Sequence, residues 1–176
     1  MRFPYLLLAA AGAIAIAATT LTGASAGPLT TPVQAPEFAG IDKWLNSEPL
    51  TMQQLRGKVV LVDFWTYTCI NCINTLPYAK AWHEKYRDKG LVVVGVHTPE
   101  YPVERSTDNV RTALRRFDIR YPVAQDNRYT TWNAYHNSYW PAFYLIDKKG
   151  QIVYTQFGEG QYAQTEAAIQ ALLAQK

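Results

Sequence analysis

Cys69 and Cys72 are the only cysteines in the 176-residue chain, separated by Ile70 and Asn71. A lone Cys-x-x-Cys can be half of a zinc site, a structural disulfide or a redox-active dithiol. Zinc needs two further ligands, and His83, His97 and His136 share no metal-like spacing with the pair or with one another. A disulfide across so short a loop removes little entropy from the unfolded chain. Both readings stay open, but placement favours the third. The pair follows Lys58-Val59-Val60-Leu61-Val62-Asp63-Phe64-Trp65, an apolar run that reads as a buried strand, and precedes a stretch with helical spacing. At a helix N-terminus, unpaired N–H groups and the positive dipole end stabilise a thiolate. Such placement lowers a thiol pKa from about 8.5 to roughly 3.5–7.5. Cys69 would then attack a partner disulfide, and Cys72, one turn further in, would resolve the mixed disulfide.

The elements that must position the pair follow from periodicity. Val59–Trp65 is expected to be a central strand covered on both faces. A helix over Cys72–Tyr86 carries Leu76, Ala79, Trp82 and Tyr86, with Pro77 expected to kink it. Leu91–Val96 is a second buried strand, so a right-handed parallel βαβ unit is expected. Further on, the pattern predicts a helix over Glu104–Phe117, a short extended piece at Tyr121–Ala124 and a short helix over Tyr129–Tyr135. A β-hairpin of Ala142–Asp147 and Gln151–Phe157 turns at Lys148-Lys149-Gly150, and a last helix spans Thr165–Gln175. Leu50–Gly57 reads as a helical turn capped by Thr51 and stopped by Gly57. The order is α/β with a mixed sheet.

Residues 1–26 look like a secretory signal: Arg2 supplies a positive start, Leu6–Ala18 is uncharged and apolar, and Ala24-Ser25-Ala26 offers small residues for cleavage. The apolar core is about a dozen residues, short of the roughly 20 a membrane span needs. An uncleaved membrane anchor is the alternative. Residues 27–37, rich in proline, are expected to be a flexible leader, and residues 38–176 a single folded domain. Hydrophobic content of 48% with 18% charged residues excludes a disordered chain. A net charge of +3 is too small to imply nucleic acid or an anionic membrane as partner. A monomer is expected.

The segment Val62-Asp63-Phe64-Trp65-Thr66-Tyr67-Thr68-Cys69-Ile70-Asn71-Cys72, with Trp140-Pro141 and the downstream hairpin, resembles the thioredoxin superfamily. Together with Val96-His97-Thr98-Pro99-Glu100 and Trp132-Asn133-Ala134-Tyr135, it is similar to the thioredoxin-like domains of DipZ-type and TlpA-type exported thiol–disulfide proteins. The resemblance implies a three-layer α/β/α thioredoxin-like sandwich over residues 38–176. It makes Cys69 the nucleophile, Cys72 the resolving thiol and Asp63 the acid beneath them. It also makes Pro141 the cis proline opposite the cysteines, with Trp140 and Trp65 as neighbours in the substrate-docking set. An acid inside a buried strand should have a raised pKa and could accept the resolving thiol's proton.

The function implied is exported dithiol/disulfide exchange with protein disulfides, needing no cofactor and no metal. Ile70-Asn71 adds no positive charge between the cysteines, which favours a reductant. An exported reductant needs electrons, expected from a membrane thiol reductase. A peroxiredoxin-like peroxidase is one alternative, since Thr66-x-x-Cys69 resembles the peroxiredoxin motif. Val62 stands where that motif has proline. A thiol metallochaperone is the other, but Met1 and Met52 are the only additional soft ligands.

Overall fold

A computed structural model describes residues 27–175. The signal segment expected over 1–26 lies outside the described residues. In chain order the elements are β1 (Gly27–Gln34), β2 (Lys43–Leu45), β3 (Val59–Trp65), α1 (Ile70–Tyr86), β4 (Leu91–His97), α2 (Thr107–Phe117), β5 (Val123–Gln125), α3 (Thr130–Ala134), β6 (Ala142–Ile146), β7 (Gln151–Phe157) and α4 (Tyr162–Ala174). They form one seven-stranded sheet in the order β1-β7-β6-β3-β4-β5-β2. β3, β4 and β5 run parallel, while β6 lies antiparallel on the other side of β3.

Every residue of β3 is buried, as an apolar strand covered on both faces requires. Alternation splits its side chains. Val59, Leu61 and Trp65 pack with α1, α2 and α4, while Val60, Val62 and Phe64 pack with α3 and the segment before β3. The two parallel crossovers, β3-α1-β4 and β4-α2-β5, step the same way along the sheet, so right-handedness puts both helices on one face. The architecture is the three-layer sandwich expected, with a heavier helical layer on the α1 side. α1 buries Cys72, Thr75, Leu76, Ala79, Trp82 and Tyr86, and its helical run continues through Pro77.

Two expectations need correction, and one strand was not anticipated. The proline-rich stretch expected as a leader contributes β1, paired antiparallel to β7. Its prolines are tolerated because β1 is an edge strand. β2 had no sequence counterpart: it is three residues long and is defined by pairing with β5. The helix expected over Glu104–Phe117 is two pieces, a 3-10 turn over Pro102–Arg105 and then α2, because Ser106 is extended (φ −70°, ψ 119°) and caps α2. Over Leu50–Gly57 the expected helical turn is present: the Leu55 N–H donates to the Thr51 carbonyl at 3.2 Å, and Gly57 ends the turn at φ 81°. Thr51 and Gln54 cap each other there, the Thr51 Oγ1 accepting from the Gln54 N–H and the Gln54 Oε1 from the Thr51 N–H.

Candidate active site

β3 delivers the chain to the end of the sheet, and α1 begins five residues after β3 ends. Cys69 is the N-cap of α1, with extended backbone (φ −71°, ψ 112°), and its Sγ accepts the Cys72 N–H at 3.2 Å. A helix start leaves N–H groups without intrahelical partners, so a sulfur here receives both a hydrogen bond and the dipole's positive end. No acidic residue sits in the first turn to oppose this. Cys69 is half-buried, Cys72 is buried, and both are free thiols.

The two sulfurs are electrostatically unequal. A hydrogen bond from the Cys72 thiol does most to lower the Cys69 pKa, to about 7. Burial opposes it, the N–H groups of Cys72 and Asn71 reinforce it, and the Glu100 charge works against it. Cys72 moves far upward, first through burial, then through its hydrogen bond to Cys69 and the nearby charges of Cys69 and Asp63. One proton is therefore held on the inner sulfur while the outer one carries the charge. This arrangement can present a thiolate outward and keep a thiol in reserve.

Asp63 points to the same face of β3 as Trp65, under α1. It is fully buried, and neither carboxyl oxygen has a hydrogen-bond partner among the described residues. Burial, and secondarily the Cys69 charge, push its pKa from 3.8 to about 8. Trp65 does not reach the surface. It is fully buried with its ring edge-on to His97 at 5.3 Å, so the docking role expected of it is not available to it. The reason is parity: two residues on from Asp63, it shares the inward face.

Pro141 is buried and follows Trp140 through a cis peptide bond. Phe64 pairs with Ala142, so the antiparallel register sets Pro141 across from Trp65, at the sheet end that leads to the cysteines. Trp140 is half-buried, tilts against Trp132 at 4.2 Å and donates its indole N–H to the Thr98 carbonyl at 3.1 Å. Exposed Tyr139 precedes it, and exposed Ile70 lies between the cysteines.

Glu104, read from sequence only as a helix start, ties this end together. It is fully buried, and its Oε1 accepts the Thr68 hydroxyl at 2.5 Å and the Thr68 N–H at 3.3 Å. Its Oε2 accepts the N–H groups of Glu100 and Tyr101 at 2.5 and 2.9 Å. Burial would raise its pKa, but the bonds from Thr68, Tyr101, Thr66 and Glu100 outweigh that and hold it below the usual range. Thr68, the residue before the Cys69 cap, is thus bound to the loop after β4. Nothing in the local sequence marks this reach to Thr68, 36 residues earlier. His97, the end of β4, is also buried, its Nε2 3.2 Å from the Thr66 Oγ1 and its ring stacked on Tyr67.

Comparison with known proteins agrees with this geometry. The Redoxin family model matches residues 31–173. The chain is 49% identical over 142 residues to Protein DipZ of Mycobacterium tuberculosis, covering 79% of this chain and 20% of that protein. It thus spans about a fifth of the DipZ length. It is 33% identical over 141 residues to the thiol-disulfide oxidoreductase YkuV of Bacillus subtilis, covering 80% of this chain and 94% of YkuV. A solved thioredoxin-like protein in its oxidised form superposes with a TM-score of 0.75 at 31% identity, covering 83% of this chain and 98% of that one.

Two outcomes are expected. Asp63 has a raised pKa in the folded state, so between pH about 4 and about 8 the native state holds a proton that the unfolded state has lost. Stability should therefore fall with rising pH across that window, by up to about 1.4 kcal/mol per pH unit. Asp63→Asn should flatten this slope in urea unfolding of the reduced protein; an unchanged slope contradicts the assignment. Glu104→Gln replaces an acceptor facing two N–H donors and should cost about 1–3 kcal/mol. The same denaturation experiment checks it, and wild-type stability would show that the clamp contributes nothing.

The sequence, the fold and the site converge: the chain belongs to the Redoxin family, and within it groups with the thioredoxin-like thiol–disulfide oxidoreductases.

Proposed function

We propose that this protein is an exported thiol–disulfide oxidoreductase that reduces disulfides in other proteins through Cys69 and Cys72. The observation that carries the reading is the inequality of the two sulfurs: Cys69 accepts the Cys72 N–H at 3.2 Å at the start of α1, while Cys72 is buried behind it.

The Cys69 thiolate attacks one sulfur of the partner disulfide; a Cys69–partner bond forms, the partner's S–S bond breaks, and the departing thiolate takes a proton from solvent. Bonding neutralises Cys69, which removes one of the two causes that keep the Asp63 proton in place. Asp63 first releases its own proton to solvent, and the carboxylate so formed takes the Cys72 proton. The Cys72 sulfur then attacks Cys69, the Cys69–Cys72 disulfide forms, and the second partner thiolate leaves. Two electrons pass to the partner. Exposed Ile70, between the cysteines, and exposed Tyr139, next to Trp140 in the chain, offer apolar side chains to a polypeptide partner.

Direction follows from how strongly the fold stabilises the reduced pair. A strongly depressed nucleophile pKa makes an oxidant, as in DsbA at about 3.5, whereas thioredoxin, a reductant, sits near about 7. Cys69 at about 7 falls with the second. Export is supported by the signal-like pattern of residues 1–26. The returning electrons would come from a membrane thiol reductase, and the working unit would be a monomer.

Cys69→Ser should abolish reduction of insulin disulfides, while Cys72→Ser should retain a single attack and accumulate a one-to-one mixed disulfide visible by intact mass. Undiminished turnover by Cys69→Ser would rule the mechanism out.

A further inference from the structure

Glu100 is a charged side chain that the fold does not use. It is exposed, and among the described residues its carboxylate makes no hydrogen bond and joins no ion pair. Its backbone, by contrast, is fixed. The Glu100 N–H donates to the Glu104 Oε2 at 2.5 Å, while the Thr68 N–H donates to Oε1 of the same carboxylate at 3.3 Å. One carboxylate thus holds both Glu100 and the residue before Cys69. The loop is held from its other side as well: the Pro99 carbonyl accepts the Tyr129 hydroxyl, and the Thr98 carbonyl accepts the Trp140 indole N–H. The charge of Glu100 is felt at Cys69, where it works against the thiolate. Neither the fold nor the nucleophile gains from a carboxylate in this place.

The surroundings suit contact with another polypeptide. Tyr101 and Val103, next along the same loop, are 55% and 58% exposed, and Ile70, which follows Cys69, is 65% exposed. These are three of the six large apolar side chains exposed among the described residues, so apolar surface concentrates around Cys69 and Glu100. The Val103 carbonyl is already taken by the Tyr67 hydroxyl and the Asn109 side-chain amide, so here the loop presents side chains and not free backbone. Arg105, the cation of this turn, is exposed and is not paired with Glu100. A fixed, unpaired carboxylate beside a thiolate attracts cations and repels anions. Complementary charge of this kind acts on encounter rate and partner choice more than on raw affinity.

We propose that Glu100 selects the partner: the polypeptide disulfide that Cys69 attacks carries a lysine or arginine beside its cysteine, and an acidic residue there is disfavoured. The inference rests on Cys69 attacking a partner disulfide, as proposed above. Glu100 takes no part in bond making. The Cys69 thiolate bonds to the partner sulfur, and the departing thiolate leaves with the electron pair of the broken S–S bond. The Glu100 carboxylate stays ionised throughout. What it changes is the approach, drawing a cation that flanks the reacting disulfide toward the loop that is tied to Thr68.

Two short peptides test this, each with one cysteine held as a mixed disulfide with thionitrobenzoate and flanked by either one lysine or one glutamate. Attack of Cys69 on the peptide sulfur releases the coloured thionitrobenzoate, so stopped flow with the reduced full chain in excess reads that step. Each rate is divided by that of dithiothreitol with the same peptide, which removes the peptide's own reactivity. The lysine-to-glutamate ratio then cancels any general change in Cys69. For unit charges about 8 Å apart in water, Glu100→Gln should lower that ratio about 5-fold at about 0.01 M salt. At about 0.15 M salt the factor should shrink to about 2-fold. A ratio that is the same in Glu100→Gln as in the unsubstituted protein overturns the inference and leaves the attack by Cys69 standing. If the unsubstituted chain releases thionitrobenzoate from both peptides no faster than Cys69→Ser does, the attack itself is refuted, and the selection with it.

Discussion

A single hydrogen bond, from the Cys72 N–H to the Cys69 sulfur at the first turn of α1, is the contact on which the rest of the site depends. It fixes one cysteine outside the helix as its cap and the other inside as its third residue. Everything unequal about the pair follows from that difference of position. The cap receives donors and the dipole and is half-open to solvent; the inner sulfur faces β3 and the sheet core, where burial holds its proton. Ordinary helix capping, usually performed by Ser, Thr, Asp or Asn, is here performed by a thiol.

The surrounding structure keeps that cap in place from three directions. β3 fixes where the chain arrives, and its complete burial leaves it no freedom of register, since a one-residue slip would exchange both faces. Glu104 binds the backbone and hydroxyl of Thr68, one residue before the cap, to the loop after β4. Trp140 anchors the same loop from the other side through the Thr98 carbonyl, and the Tyr129 hydroxyl donates to the Pro99 carbonyl. The cap is therefore set on rigid neighbours even though Cys69 itself is partly exposed.

Much of this was legible in the sequence, and what was not has identifiable causes. The β3-α1-β4 unit announces itself through two apolar runs and a helical repeat, and Asp63 stands out as a lone acid in one of those runs. Strand parity, read from Asp63, would also have turned Trp65 inward. Glu104 was hidden because its local pattern is merely helical, while the partner that gives it meaning, Thr68, lies 36 residues earlier. β1 was hidden because proline and threonine carry no strand periodicity; only its pairing with β7 defines it. Tyr121 read as part of a short extended piece, and nothing local tells that its ring packs against Gly95 of β4.

Cys69, which caps α1 and receives the hydrogen bond of the Cys72 thiol, is the charged sulfur on this reading, and Cys72 the protonated one. Alkylation of the reduced protein by iodoacetamide over a pH series, with each modified cysteine identified by peptide mass, tests it directly. Cys69 alone should be modified, with a rate that rises through a midpoint near pH 7. Preferential labelling of Cys72, or a Cys69 midpoint at the ordinary thiol value of about 8.5, would contradict it.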